Sequence, residues 1–216
     1  MIKRAICVMI CCLLLTLWTA GSVIPGLAKD EALLLSCFSR YAETESFGVK
    51  KSDYPLFAAQ LSAFFRHETD DPNAGVHPFH DYEVTHMFDV RRLMDGVALF
   101  ARICLAAAVI MFVCTALLYR RQRFSFLPGF IAFLALVTIV VVAAACSFST
   151  VFVLLHRLLF TNDLWLLNPQ TDLLIALMPE GMFIYLARKI LYRLLPLLLL
   201  MSAAAVISQK YAQQRQ

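Results

Sequence analysis

Histidine is the side chain whose charge changes nearest neutrality, and this sequence holds five: His67, His77, His80, His86 and His156. His86 lies three residues before Asp89 in Thr85-His86-Met87-Phe88-Asp89-Val90, so on a helix the two share a face. A carboxylate in that position can hold an imidazole in one tautomer and raise its basicity, as a general base requires. His156 closes a run of 32 uncharged residues, 124–155, where an ionisable group is costly unless it is used or satisfied. Each also has a bland reading: a solvated surface pair for His86 and Asp89, a headgroup contact for His156. His77 and His80 form an H-x-x-H beside Asp81, with Asp70 and Asp71 near in sequence. Zinc ligation is conceivable there, but the stretch is proline-containing loop without a second ligand pair, and no metal is expected. His67 is expected to cap or solvate a helix end. The sequence has no G-x-S-x-G and no phosphate-cradling glycine loop. Cys37 reads as structural, and seven glycines make nucleotide binding a poor fit.

The elements that must position these histidines are membrane helices. Of 216 residues, 61% are hydrophobic and 16% charged, against about 45–50% and about 25% in ordinary soluble domains. A soluble enzyme, a nucleic-acid binder and a disordered tail are all excluded by that balance. Residues 5–28 carry no charge and are long enough to cross a bilayer, which needs about 20. The run exceeds a signal-peptide core and shows no convincing small-x-small cleavage site, so it is expected to stay as transmembrane helix 1. Helix 2 is expected over 97–119, with Arg102 snorkelling to the headgroups. Helix 3 is expected over 128–155, entered at Pro128-Gly129, and helix 4 over 190–208, with Pro196 tolerated. Six cysteines lie in apolar runs, where they behave as small hydrophobes, so no disulfide framework is implied.

Charge sets the expected orientation. All fifteen acids fall in 30–95 and 163–180, whereas Lys3, Arg4, Arg120, Arg121, Arg123, Lys210 and Arg215 flank the spans without one. With four crossings those cations share one side, so both termini and the 120–124 loop are expected in the cytoplasm. Residues 29–96 then form an outer, mainly helical cap: Asp30–Tyr41 and Tyr54–Arg66 have helical apolar spacing, 67–80 reads as loop, and Asp81–Asp95 resumes a 3.6-residue period. Residues 156–189, broken at Asn168-Pro169 and Pro179-Glu180-Gly181, read as outer interfacial helices or a re-entrant loop, with Trp165 at headgroup level. The fold class is thus an all-α integral membrane protein with four transmembrane helices. His86 and His156 come out at one depth, just outside the outer leaflet's core, where a base and an acid could act on a lipid ester. Two axial ligands of a b-type haem, or a non-catalytic partner-binding surface, are the other readings of the same pair.

The block Glu83-Val84-Thr85-His86-Met87-Phe88-Asp89-Val90 resembles the E-x-x-H-M-x-D-V signature of the lipoprotein intramolecular transacylase family, small four-helix bacterial membrane proteins. His156, Phe160, Asn162, Asp163, Trp165, Leu167 and Pro169 are similar to that family's H-x-x-x-F-x-N-D-x-W-x-L-x-P. Thr171-Asp172-Leu173-Leu174-Ile175 and Met178-Pro179-Glu180 continue the pattern, so the resemblance covers essentially the whole chain. It implies migration of the sn-2 acyl chain of a diacylglyceryl-cysteine lipoprotein from oxygen to the cysteine α-amino group, at the outer face of the plasma membrane. The lyso-form lipoprotein is the product. A histidine pair is held responsible in the family, and it maps onto His86 and His156. An α-amine, with a pKa of about 7.7–8.0, needs deprotonation before it attacks, and an imidazole near 6.5 suits that task. His86, oriented by Asp89, is expected as the base, and His156 as oxyanion stabiliser and acid. Asn162 and Trp165 are expected to shape the site and exclude water. Met87 and Asp163, within the same two blocks, join them as supporting residues. Donor and acceptor share one molecule, so no cofactor, ATP, metal or nucleic acid is called for. The partners are the diacylated lipoproteins and membrane lipid.

Overall fold

The computed structural model describes residues 2–73, 77–119 and 125–213, and within them the chain is helical, with no strand. Eight α-helices run in the order α1 (Ile2–Ala28), α2 (Glu31–Tyr41), α3 (Tyr54–Phe65), α4 (Asp81–Tyr119), α5 (Leu127–Cys146), α6 (Phe148–Leu159), α7 (Leu173–Leu177) and α8 (Glu180–Gln213). Two short 3-10 turns, Glu45–Phe47 and Lys51–Asp53, link α2 to α3. Helices α1, α4, α5 and α8 are long and apolar enough to cross a membrane, and the chain is a membrane protein. The 120–124 loop and Arg120, Arg121, Arg123 and Arg215, which bear on orientation, lie outside the described residues.

The chain divides into two compact units. The first comprises Met1–Ser22, Ala98–Phe148 and Ile190–Gln216. Its core is set by apolar residues one helical turn apart: Val8 and Cys12 of α1, Phe130 and Phe133 of α5, Met201 and Ala205 of α8. Ala101, Cys104 and Ala108 of α4 are 1–2% exposed, the small residues that let membrane helices approach closely. At Gly129 an added Cβ would fall on the Ala5 carbonyl and 2.7 Å from the Val8 Cβ, so α1 and α5 cross where glycine leaves room. Ile110, Leu118, Ile139, Leu199 and Leu200 stand exposed, a lipid-facing surface rather than a soluble one.

The second unit comprises Val23–Val97 and Ser149–Lys189. Asp30 caps α2, its carboxylate accepting from the Leu33 N–H at 3.0 Å. Leu34, Cys37 and Phe38 of α2 and Phe57, Leu61 and Phe64 of α3 follow helical spacing and are buried against one another's helix. Arg91 of α4 is buried with them. Its guanidinium donates to the carbonyls of Phe64 and Thr69, pairs with Asp70 at 2.8 Å and lies 4.2 Å from the Phe64 ring. Six of the first fifteen residues of α4 are charged, so this part stays out of the hydrocarbon and the apolar run begins beyond it.

Two stretches differ from sequence expectation. Residues 128–155 do not form one helix: α5 ends at Cys146, Ser147 takes φ −153° and ψ 72°, and α6 starts at Phe148. Twenty residues of α5 already give about 30 Å, one bilayer core. Helix 4, expected over 190–208, is part of the longer α8, which starts at Glu180, directly after the break at Met178-Pro179 that ends α7, and runs on through Pro196.

Candidate active site

The site is built in the second unit by α4, α6 and the segments around α7. Helix α4 begins at a proline-bearing loop (His77-Pro78-Phe79-His80), and its third residue, Glu83, anchors it. One Glu83 oxygen accepts from the His80 backbone N–H and the other from the Leu174 N–H, each at 2.7 Å. The first bond satisfies an orphan donor at the start of α4 as a capping-box glutamate does, and the second ties α4 to the first turn of α7. Glu83 is fully buried; burial raises its pKa and the two N–H donors lower it, leaving it above the ordinary carboxylate range. Beside it, Asp172 accepts from Tyr82 Oη at 2.7 Å, Thr171 Oγ1 at 2.6 Å and the Asn168 N–H at 2.7 Å. Burial raises the Asp172 carboxyl, and these bonds outweigh it and hold it low.

One turn beyond Glu83, His86 is 7% exposed. Its ring centroid lies 6.3 Å from that of His156 and 5.1 Å, edge-on, from Phe160. Its Nδ1 is the buried side-chain polar atom that lacks a hydrogen-bond partner among the described residues. Burial, then the neighbouring His156, push its pKa down to about 4, against a smaller upward pull from Asp89. His86 is therefore a neutral imidazole throughout the neutral range.

His156, on α6, is held differently. Its Nδ1 lies 2.7 Å from the Phe152 carbonyl oxygen one turn back. A carbonyl only accepts, so Nδ1 carries the hydrogen and the neutral ring presents its lone pair at Nε2. Phe152 at 4.1 Å, Trp165 at 5.2 Å and Phe160 at 5.5 Å surround the ring. An imidazole with a set tautomer stands beside a buried neutral one within an aromatic wall. That arrangement can move a proton at one ring and donate a hydrogen bond from the other.

The remaining expected residues distribute unevenly. Asp89 does not hydrogen-bond His86: its carboxylate accepts from Asn162 Nδ2 at 2.9 Å and sits 3.7 Å from Arg92. The i, i+3 spacing permits contact, but the Asp89 carboxylate is taken by the Asn162 amide instead. Asn162 thus joins the site through Asp89, and Trp165 joins directly. Met87 is 2% exposed in the core, about 100° round the helix from His86. Asp163 is exposed, and its backbone carbonyl takes the Leu166 N–H. His80 stacks on Tyr82 at 5.2 Å, and His77 Cε1 lies 3.7 Å from where a Cβ on Gly48 would stand. His67, at φ 64°, ends the turn after α3 and bonds Asp95 at 3.1 Å. Among the described residues no three His, Cys, Asp or Glu side chains converge as a metal shell. Glu83, Asp172 and Phe160 were not assigned roles from the sequence. The glutamate three residues into a helix was the readable signal for the first; Phe160 follows His156 at one helical turn.

The chain matches the sequence model of "Lipoprotein intramolecular transacylase Lit" over residues 7–183. No curated protein matches it. Among solved structures it is similar to the membrane-integral lipoprotein intramolecular transacylase Lit of Bacillus cereus, at 19% identity and TM-score 0.70, covering 98% of each chain. It is also similar to two forms of that protein carrying a histidine substitution. The arginine form gives 18% identity and TM-score 0.66 over 99% of this chain and 94% of that one. The alanine form gives 19% and 0.65 over 98% and 96%. The likeness of the solved structures is one of fold, and the family match extends across both histidine blocks. The chain belongs to the lipoprotein intramolecular transacylase family, membrane-integral bacterial transferases.

Proposed function

We propose that this enzyme moves the sn-2 acyl chain of a diacylglyceryl-cysteine lipoprotein from the glyceryl oxygen to the cysteine α-amino group, at the outer face of the plasma membrane, with both termini in the cytoplasm. The observation that carries the reading is the pairing of His86 with His156, whose tautomer is set by the Phe152 carbonyl. His156 Nε2 takes a proton from the attacking amine, and the Phe152 carbonyl supports the imidazolium through Nδ1–H. The new C–N bond makes a tetrahedral carbon whose oxyanion His86, neutral and desolvated, stabilises by donating a hydrogen bond. Collapse breaks the C–O bond to the glyceryl sn-2 oxygen, and His156 returns its proton there. One proton is thus carried from nitrogen to oxygen, and the product is an isomer of the substrate.

These roles are the reverse of those expected from the sequence. A base must hold a lone pair in a known direction, and the Phe152 carbonyl leaves that of His156 at Nε2. His86, pushed to about 4, resists protonation. Phe160 and Trp165 exclude water that would turn transfer into hydrolysis, and holding amine and ester together supplies much of the acceleration. Lipoproteins with an N-terminal diacylglyceryl-cysteine are the substrates.

Tandem mass spectrometry on a synthetic diacylglyceryl-cysteine peptide incubated with the purified protein tests this reading. An isobaric product whose fragments carry an N-acyl group, absent with His156→Ala, is expected. Loss of an acyl chain would replace the reading by a lipase, and gain by an intermolecular transferase. No migration, together with a Soret band in the purified protein, would replace it by the haem reading.

A further inference from the structure

Three basic residues of the second unit are paired with acids. Arg66, Arg91 and Arg92 lie 2.8, 2.8 and 3.7 Å from carboxylates. Arg40 and Lys189 have no ion pair and no hydrogen bond among the described residues, yet they converge on one ring. Arg40 Cζ lies 6.0 Å and Lys189 Nζ 5.2 Å from the centroid of Tyr185. Tyr41 completes the cluster, its ring 5.7 Å from that of Tyr185 and 5.5 Å from Arg40 Cζ. Tyr41 lies over Gly181, where an added Cβ would come 3.4 Å from its Cδ1, so the aromatic pair is packed on α8. Neither hydroxyl bonds a described residue. The nearest acid on α8, Glu180, is taken by Ser149 Oγ at 2.7 Å.

Two like charges gathered on one ring repel each other, and the ring faces offset that only in part. An anion between them removes the repulsion and supplies acceptors to four donors: a guanidinium, an ammonium and two phenols. The place on the chain selects the kind of anion. Arg188, Lys189 and Arg193 precede the charge-free run 194–209 of α8, and basic residues with tyrosine at the head of a membrane helix lie at headgroup level.

We propose that Arg40, Tyr41, Tyr185 and Lys189 bind the phosphodiester of an anionic phospholipid headgroup. The site shares no residue with the histidine pair, and the proposal does not depend on the acyl-transfer reading. Native mass spectrometry of the full-length protein in detergent tests it, with phosphatidylglycerol, phosphatidylcholine and inorganic phosphate as separate probes. Phosphatidylglycerol should be retained in preference to phosphatidylcholine, with affinity falling about fivefold for each cation removed in R40Q and K189Q. Lys189→Arg should keep most of the binding, and Arg157→Gln, an exposed cation elsewhere in the same unit, should leave it unchanged. Equal retention in R40Q/K189Q, or equal retention of phosphatidylcholine, overturns the proposal. Inorganic phosphate displacing the lipid at low millimolar concentration also overturns it, in favour of a soluble-anion site. If the double variant does not fold, Lys189→Gln alone gives the same readout.

Discussion

The two units hide different things. In the first, the buried cluster is apolar throughout, built from valine, cysteine, phenylalanine, methionine and alanine. In the second, the core contains Thr44, Ser62, Glu83, His86, Arg91 and Asp172, every buried polar or charged residue among those described. The first unit can be held by packing and lipid, since exposing its leucines to hydrocarbon costs nothing. The second must balance each buried polar atom, and it does so for all but His86 Nδ1. The unit satisfies Glu83 twice and Asp172 three times, and the one buried imidazole nitrogen without a partner among the described residues is the one our proposed reaction uses.

That contrast can be broken in order of expected effect. His156→Ala removes the base we propose and should lower acyl transfer by about 10³-fold, read by the N-acyl product at unchanged expression. His86→Ala should fall almost as far. Glu83→Ala leaves the His80 and Leu174 N–H groups buried without an acceptor, costing about 3 kcal/mol, seen as a lower thermal midpoint together with lost activity. Glu83→Gln should cost less, because its amide oxygen still serves one donor.

The histidine also gives the second unit a pH signature. His86 titrates at about 4 when folded against 6.5 when free, so between those values the unfolded chain binds the extra proton. Stability is therefore complete above pH 6.5, declines as pH falls towards 4 and levels off below, by about 3 kcal/mol. His86→Phe should flatten that part of the thermal-midpoint profile; an unchanged slope would assign it to other groups. In the first unit, Gly129→Ala should cost about 2 kcal/mol through overpacking against Ala5 and Val8. Gly96→Ala, with nothing within 4 Å, should be neutral or slightly stabilising. A modest loss belongs to Asn162→Ala, which frees Asp89 and should lower transfer by about fivefold.

The architecture was largely legible because its signals are local. Charge-free runs longer than a bilayer, and apolar residues at i, i+3 and i+4, specify helices without knowledge of their partners. The break at Ser147 was not, since nothing in the uncharged run around it resembles a helix stop. At the site, His86 and His156 stood out by residue type and by their blocks. Spacing alone paired Asp89 with His86, whereas its partner is Asn162, 73 positions away. The division of labour we propose between the two rings rests on a main-chain carbonyl, which no side-chain pattern announces.

The two anchors of the site share a property that bears on how the protein tolerates drift. Glu83 is held by the amides of residues 80 and 174, and His156 by the carbonyl of residue 152. Those partners belong to the main chain, which every amino acid except proline supplies complete. Mutational load on this constellation should therefore be lopsided: Glu83 and His156 should tolerate change least, while 80 and 174 can vary in side chain, proline excepted, without severing either grip. A mutational scan would register the site as isolated intolerant positions rather than coupled pairs, and covariation would say little about how it is held.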